Sequence, residues 1–218
     1  MTFAGIIAIL LFLGLIIGDW YQFTTLKSWA CQYGCPLAHR KNALDSQSVS
    51  SISTVFKPGA LALPHGIARW IADRRVIVIR PYYQLFSLRF RTAWPLKGTI
   101  DVSSDGTQLL LHLSKRIPWS SAILTFLWLL FVIGGTLTFV VLFILDGGIS
   151  TVGGVFWVIG MTALGLLVLA GGLILLSFAY RLEDSRLTQV YQELLDVLTP
   201  PLKDSDKSAS PLKISQTP

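Results

Sequence analysis

Apolar residues are concentrated in three long runs that are separated by more polar stretches. The first run covers residues 3–18, and the other two lie within residues 119–180, where Asp146 is the only charged residue. Two glycines follow Asp146, which is typical of a turn, and each run beside it exceeds the roughly 20 residues that a helix needs to cross a bilayer. The pattern therefore predicts transmembrane helices over residues 3–23, 119–145 and 149–180.

The first run is short, so a secretory signal peptide or a re-entrant segment is the alternative to a spanning helix. A signal peptide has a basic segment before its apolar core and small residues before the cleavage point. No Lys or Arg precedes this run, and its end, at residues 15–19, has no Ala-x-Ala-like pattern. Trp20 and Tyr21 instead resemble the aromatic residues that anchor helices at the membrane interface. We therefore expect an uncleaved span.

Basic residues flank one end of each run. They are Lys27 after the first, Lys115 and Arg116 before the second, and Arg181 and Arg186 after the third. Lys and Arg near the ends of spans favour the cytoplasmic side. We therefore predict a multi-pass protein of the cell inner membrane, with its N-terminus and the Asp146 turn outside. Residues 24–116 and the C-terminus would then be cytoplasmic.

Residues 60–116 contain the period-two patterns that are typical of strands. Residues 76–79 are all Val or Ile, and apolar residues alternate with polar ones over residues 86–91. Asp105-Gly106 lies between two extended runs and predicts a hairpin, because glycine tolerates the positive φ that such turns require. Residues 67–74 differ, since Ile67, Trp70 and Ile71 share one helical face, and they predict a short amphipathic helix that could lie on lipid or pack on its own domain.

The remaining segments complete an α+β integral membrane protein. Residues 24–59 read as a juxtamembrane linker, in which a strand within residues 49–56 is possible. Residues 60–116 form a small, mainly-β cytoplasmic domain between the first and second of three transmembrane helices. Residues 181–199 have apolar positions at spacings of three and four and predict a C-terminal amphipathic helix that packs on its own protein or, second, on a partner. Residues 200–218 are polar and predicted to be disordered.

The charge of the domain indicates an acidic partner or surface. Residues 19–118 hold 13 Lys/Arg and 5 Asp/Glu, a net charge of +8. Anionic lipid headgroups attract nearby basic residues, and no nucleic-acid-binding motif is present, so we expect membrane lipids and no nucleic acid. The candidate lipid or partner contacts are Arg69, Trp70, Arg74, Arg75, Arg89, Arg91, Lys115 and Arg116.

Glycines in the third run suggest close helix packing. Gly153 and Gly160 are seven residues apart, as are Gly165 and Gly172, so each pair falls near one face of a helix. Small residues let helix backbones approach closely in lipid. We expect these faces to contact the other spans, another membrane protein or a second copy of the chain.

Cys31, Cys35 and His39 are the candidate metal ligands. A helix would align all three at their spacing of four, and thiolate and imidazole groups bind zinc. Zinc sites usually have four ligands, however, and Pro36 would interrupt a helix here. The spacing also differs from the redox Cys-x₂-Cys, and thiols on the cytoplasmic side should be reduced. Metal or redox chemistry is therefore the alternative function.

No motif here indicates catalysis. The sequence has no Gly-x-Ser-x-Gly and no phosphate-binding loop, and the apolar runs beside Asp146 hold no ionisable residue of the kind that ion-coupled carriers place in the membrane. We therefore expect no enzyme activity and no cofactor. The sequence favours an accessory, assembly or scaffold component of a membrane assembly.

Overall fold

The computed structural model describes residues 2–45, 49–56, 59–82, 92–105 and 108–199. Its helices are α1 (Thr2–Thr24), α2 (Val49–Val55), α3 (Trp119–Leu145) and α4 (Val152–Leu198). Its strands are β1 (Cys35–Asp45), β2 (Ala60–Ala62), β3 (Gly66–Ile71), β4 (Val76–Pro81), β5 (Lys97–Asp105) and β6 (Gln108–Ile117). Short 3-10 helices lie at Ser28–Ala30, Ala72–Arg74 and Gly148–Ser150.

Helices α1, α3 and α4 are long and apolar enough to cross a membrane, which confirms the three predicted helices by length and composition. Their apolar side chains are open to the surroundings: Phe131 is 74% exposed and Leu167 is 69% exposed. Soluble proteins rarely expose apolar surface of this extent, which fits helices that could cross a membrane. Pro118 precedes α3, where its missing N–H leaves no hydrogen bond unmade.

The sheet lies at one end of these helices and the Asp146 turn lies at the other. Helix α1 ends next to the sheet, where Arg80 Nη1 donates to the carbonyl of Thr24 at 2.5 Å. Helix α3 begins directly after β6, and α4 returns from the turn to pack on the sheet. Gly147 closes the turn between α3 and α4 with a φ of 74°, which glycine adopts without a steric penalty.

The six strands form one antiparallel sheet in the order β1-β6-β5-β4-β3-β2. Strand β4 confirms the strand predicted at residues 76–79, and the antiparallel pairing of β5 with β6 confirms that these strands form a hairpin. One face of the sheet, the helix face, packs against the second half of α4 through a core that includes Ile77, Ile100 and Leu111. The opposite face, the loop face, lies under residues 25–34.

Residues 24–59 are more regular than the prediction of a linker. Strand β1 pairs along its length with β6, so the sheet begins at Cys35 instead of residue 60. The possible strand within residues 49–56 is wrong, because Val49–Val55 is helix α2. Ile52 and Phe56 are buried in the main core, and their spacing of four places both on one side of a helical turn.

The prediction of an amphipathic helix over residues 67–74 is also wrong. Residues Gly66–Ile71 form β3, and the 3-10 helix Ala72–Arg74 leads into β4. Ala68 and Trp70 pack towards the helix face, while Ile71 packs on the loop face. Because β3 packs apolar residues on both faces of the sheet, the spacing of these residues in the sequence resembles that of a helix.

Helix α4 joins two predicted segments into one. The sequence suggests a span over residues 149–180 and a separate amphipathic helix over residues 181–199, but Val152–Leu198 is a single helix. Its apolar stripe packs on the sheet through Leu187, Val190, Tyr191, Leu194 and Leu198, which confirms that the stripe serves the chain's own fold. The predicted strand at residues 86–91, with Arg89 and Arg91, and the predicted disordered tail lie outside the described residues.

Candidate functional site

The loop after α1 covers the loop face of the sheet with a small apolar contact. Cys31 is fully buried against Ile71, Val76 and Val78, and Leu26 packs beside them. These strand residues fall on the loop face because alternate residues of β4 point to opposite sides of the sheet. The loop is therefore held to the strands at its centre by apolar burial.

Polar side chains of three strands bind the backbone carbonyls of this loop. Lys97 Nζ donates to Ala30 O at 2.9 Å, and Thr99 Oγ1 donates to Cys31 O at 3.0 Å. Arg116 Nη1 donates to Gln32 O at 2.7 Å and to Gly34 O at 3.1 Å. With Arg80 on Thr24, these residues line the end of the sheet that is next to the end of α1 and the start of α3. We call Arg80, Lys97 and Arg116 the cation cluster.

Lys97 is the most unusual ionisable residue of this site. Its side chain is fully buried, and its ammonium nitrogen lies 4.8 Å from the centre of the Phe23 ring. Burial lowers the pKa of Lys97 to about 8, and the nearby positive charges of Arg116 and Arg80 act in the same direction. Burial outweighs the carbonyl and ring contacts, because neither of these carries a full negative charge.

The lowered pKa of Lys97 predicts that stability rises with pH in an unusual range. The unfolded chain keeps this proton up to about pH 10.5, while the folded chain loses it near pH 8. Between these values the unfolded state binds more protons, so the free energy of unfolding increases with pH. Chemical unfolding in micelles from pH 7 to 10.5 should show this increase, and a Lys97→Met variant should lose most of it. An equal increase in both proteins would contradict the assignment.

Asp19 joins α1 to the start of α3. Its Oδ2 accepts hydrogen bonds from Ser120 N at 2.9 Å and from Ser120 Oγ at 2.6 Å. Its Oδ1 accepts from Tyr33 OH at 2.6 Å. Pro118 provides no side-chain cap for α3, so this carboxylate supplies the acceptor that a capping residue normally gives. Burial, followed by the hydrogen bond and charge of Asp19, raises the pKa of Tyr33 to about 12.

On the helix face, an ion pair and hydrogen bonds connect α4 with the sheet and the turn before β3. Lys115 pairs with Asp184 although it is only 8% exposed. Near the other end of α4, Glu193 accepts from the backbone N–H of His65 at 3.1 Å and contacts His65 Nδ1 at 2.5 Å. These contacts fix the rotation of α4 on the sheet, because each joins a defined residue of the helix to a defined strand or turn.

The structure does not align Cys31, Cys35 and His39 on a helix. Cys31 follows a 3-10 helix and is buried on the loop face, whereas Cys35 packs against the core of the helix face. An irregularity in β1 between Pro36 and Ala38 shifts the side-chain alternation, and His39 Nδ1 contacts Ser114 Oγ at 2.9 Å. The three residues thus have separate surroundings. Among the described residues, no group of three or more His, Cys, Asp or Glu could hold a metal ion.

Some of the predicted lipid or partner contacts are exposed, and others contact the chain itself. Arg69, Arg74 and Arg75 are exposed at and beside the turn between β3 and β4. Trp70 is partly buried against the main core. Lys115 and Arg116 bind within the chain, to Asp184 and to the loop carbonyls. The predicted site residues did not include Arg80, Lys97 or Asp19. For Arg80 a signal was present, because it shares its strand face with Val76 and Val78 and could have been expected to lie under a covering segment.

The two glycine pairs also differ. Gly165 and Gly172 face α3, where added side-chain atoms would overlap Thr136 and the Trp128 ring. Gly153 and Gly160 have open space beside them. The first pair therefore allows the close approach of α3 and α4, while the second pair lies on a face that the described residues leave uncovered.

No family model, curated protein or solved structure matches this chain. Function must therefore be argued from the arrangement of the chain's own residues.

Proposed function

We propose that this chain is a non-catalytic scaffold of the cell inner membrane, which holds a basic surface at a fixed height for an acidic partner protein. The observation that carries the proposal is the 47-residue helix α4, whose apolar first part continues without a break into the part that packs on the sheet. A continuous helix transmits the position of the membrane span to the sheet, whereas a flexible linker would not. A rigid connection between the span and the sheet helps the chain to position a partner, whereas a chain that only anchors a domain to the membrane does not need one.

The basic surface consists of Arg69, Arg74 and Arg75. Strand β4 is 6 residues long and ends at Pro81, close to the membrane helices. At about 3.3 Å per residue, the turn with Arg74 and Arg75 is roughly 20 Å from that end. The Debye length at physiological salt is about 8 Å, so attraction to lipid headgroups is strongly screened at this distance. The distance of Arg74 and Arg75 from the Pro81 end of β4 therefore favours a protein partner over the inner leaflet itself.

Charge reversal of this surface should remove the partner. In native membranes, a photo-reactive residue at position 75 should cross-link to one defined protein. When a photo-reactive residue is placed at the exposed position 72 of the same turn, an Arg69→Glu/Arg74→Glu/Arg75→Glu variant should give at least about tenfold less cross-linked product than the chain with the native arginines. Opposed charges across the interface become like charges in this variant. The matched control is Lys27→Glu/Arg40→Glu/Lys41→Glu, which changes three other exposed basic residues.

The outcome distinguishes the possibilities clearly. Loss of the product in the first variant and its retention in the control support the proposal. If both variants retain the product, the basic surface is not the binding site. If position 75 cross-links only to lipid, the domain lies against the leaflet and the scaffold function is wrong.

A further inference from the structure

With α1 and α3 as membrane spans, the cation cluster lies next to the lipid headgroups. Arg116 precedes the first residue of α3, Trp119, by three positions, which corresponds to on the order of 10 Å of extended chain. Arg80 contacts the last residue of α1, Thr24. Headgroups extend roughly 5–7 Å beyond the hydrocarbon core on each side. A guanidinium group at this position can therefore reach the phosphate of a neighbouring lipid.

Two cations of the cluster lack a charged partner within the described residues. Lys97 and Arg116 are opposite each other on β5 and β6, and Arg116 repels the charge of Lys97. Each donates to neutral carbonyl oxygens and neither forms an ion pair with a described carboxylate. The adjacent Lys115 differs, because it pairs with Asp184 on the other face of the sheet. Partly buried charges of one sign are costly unless an opposite charge approaches them.

The end of α1 compensates only part of this charge. The C-terminus of a helix is equivalent to roughly −0.5 of an elementary charge, which is less than the charge of either cation. Asp19 is the nearest acidic residue in the sequence of α1, but its oxygens accept from Ser120 and Tyr33. The Nε atom of Arg116 is buried and has no hydrogen-bond partner among the described residues, while the residue as a whole is partly exposed. Arg116 is thus the accessible member of the pair.

We propose that the cation cluster binds the phosphate group of an anionic membrane lipid, with Arg116 as the contacting residue and Lys97 as the buried charge behind it. A bound phosphate neutralises the excess positive charge and fixes α1, its loop and the sheet together. Guanidinium groups suit this role because they present several donors in a planar fork to phosphate oxygens. This proposal is independent of the partner-binding surface, which lies at the other end of β4.

Thermal unfolding of the full chain in lipid-free micelles tests this site. Phosphatidylglycerol should raise the unfolding midpoint, and phosphatidylcholine with the same acyl chains should not. In an Arg116→Gln variant the apparent affinity for phosphatidylglycerol should fall about tenfold, as expected for loss of one charge-assisted contact. The matched control is Lys41→Gln, which removes the same charge from an exposed position of β1 and should keep the full effect.

Inorganic phosphate is the third arm of the experiment. If phosphate alone stabilises the protein as strongly as phosphatidylglycerol, and Arg116→Gln abolishes both effects, the site takes a free anion and the lipid source is wrong. Equal effects of the two lipids, or an unchanged affinity in Arg116→Gln, would overturn the site itself.

A measurement on the unmodified chain covers the case in which Arg116→Gln does not fold. A phosphatidylglycerol analogue with a photo-reactive headgroup should cross-link to residues 24–34 or 114–118. Exclusive cross-linking elsewhere in the chain would contradict the proposal.

Discussion

Replacing Leu194 with Asp should release the second half of α4 from the sheet. Leu194 is fully buried between α4 and the helix face of the sheet. Truncation of a buried leucine alone costs about 3–5 kcal/mol, and an unpaired buried carboxylate adds to this cost. Because whole domains are stable by only about 5–15 kcal/mol, the variant should lose most of the packing between helix and sheet. Amides of β4, β5 and β6 should then exchange hydrogen much faster in micelles.

The matched control is Val197→Asp on the same helix. Val197 is 43% exposed. Its replacement by Asp introduces the same charge three residues further along α4. Exchange in this variant should resemble that of the unmodified protein. If the two substitutions have equal effects, the apolar stripe of α4 does not pack on the sheet, and the scaffold proposal loses its rigid connection.

Replacing Gly172 with Leu should separate α3 from α4. Side-chain atoms at this position would overlap the Trp128 ring, so the helices must move apart or Trp128 must rotate away. Overpacking of this kind typically costs about 1–3 kcal/mol. The helical hairpin should therefore unfold at a lower fraction of sodium dodecyl sulfate in mixed micelles than the unmodified hairpin does.

Two comparisons make this result specific. Gly160→Leu adds the same side chain to the same helix where no atom lies within 4 Å, and should leave the transition unchanged. A Trp128→Ala substitution should restore part of the stability that Gly172→Leu removes, because it vacates the overlapping volume. If Gly160→Leu lowers the stability of the hairpin more than Gly172→Leu does, α3 does not pack on the Gly172 face of α4.

The parts of this fold that were predictable depend on local pattern. Residues 119–145 carry a long uncharged apolar run, and such a run can satisfy its backbone in a membrane only as a helix. Asp105-Gly106 marks its hairpin by turn chemistry that involves few residues. Each of these features is complete within a short piece of sequence, so no knowledge of distant residues is needed.

The parts that were missed depend on distant residues. Strand β1 contains Pro36 and few β-branched residues, and its extended form follows from pairing with β6, more than 60 positions later. Strand β3 packs apolar residues on both faces, Ala68 and Trp70 towards α4 and Ile71 under the loop after α1, so its apolar residues do not alternate. Strands that pack on both faces lack the alternation of apolar and polar residues by which a strand is recognised in a sequence.

The cation cluster could not be predicted from the sequence for a related reason. Arg80, Lys97 and Arg116 have the composition of an exposed basic surface, and nothing near them in sequence indicates burial. Lys97 is buried, and Arg80 and Arg116 are partly buried, because residues 25–34 return over the sheet and supply carbonyl oxygens. The number of basic residues predicts an attraction to anions, but which of them stay exposed depends on this long-range contact.

The central claim is that the sheet and the Asp146 turn lie on opposite sides of the membrane, and labelling of single cysteines tests it most directly. The variants carry Cys31→Ala and Cys35→Ala so that each has one cysteine. An impermeant maleimide applied to intact cells should label a Ser150→Cys variant in the turn. It should label an Arg75→Cys variant, on the sheet, only after the membrane is opened. Both positions are exposed in the structure, so access depends on the membrane alone. Labelling of both variants in intact cells would contradict the three-span arrangement, and labelling of Arg75→Cys alone would reverse its orientation.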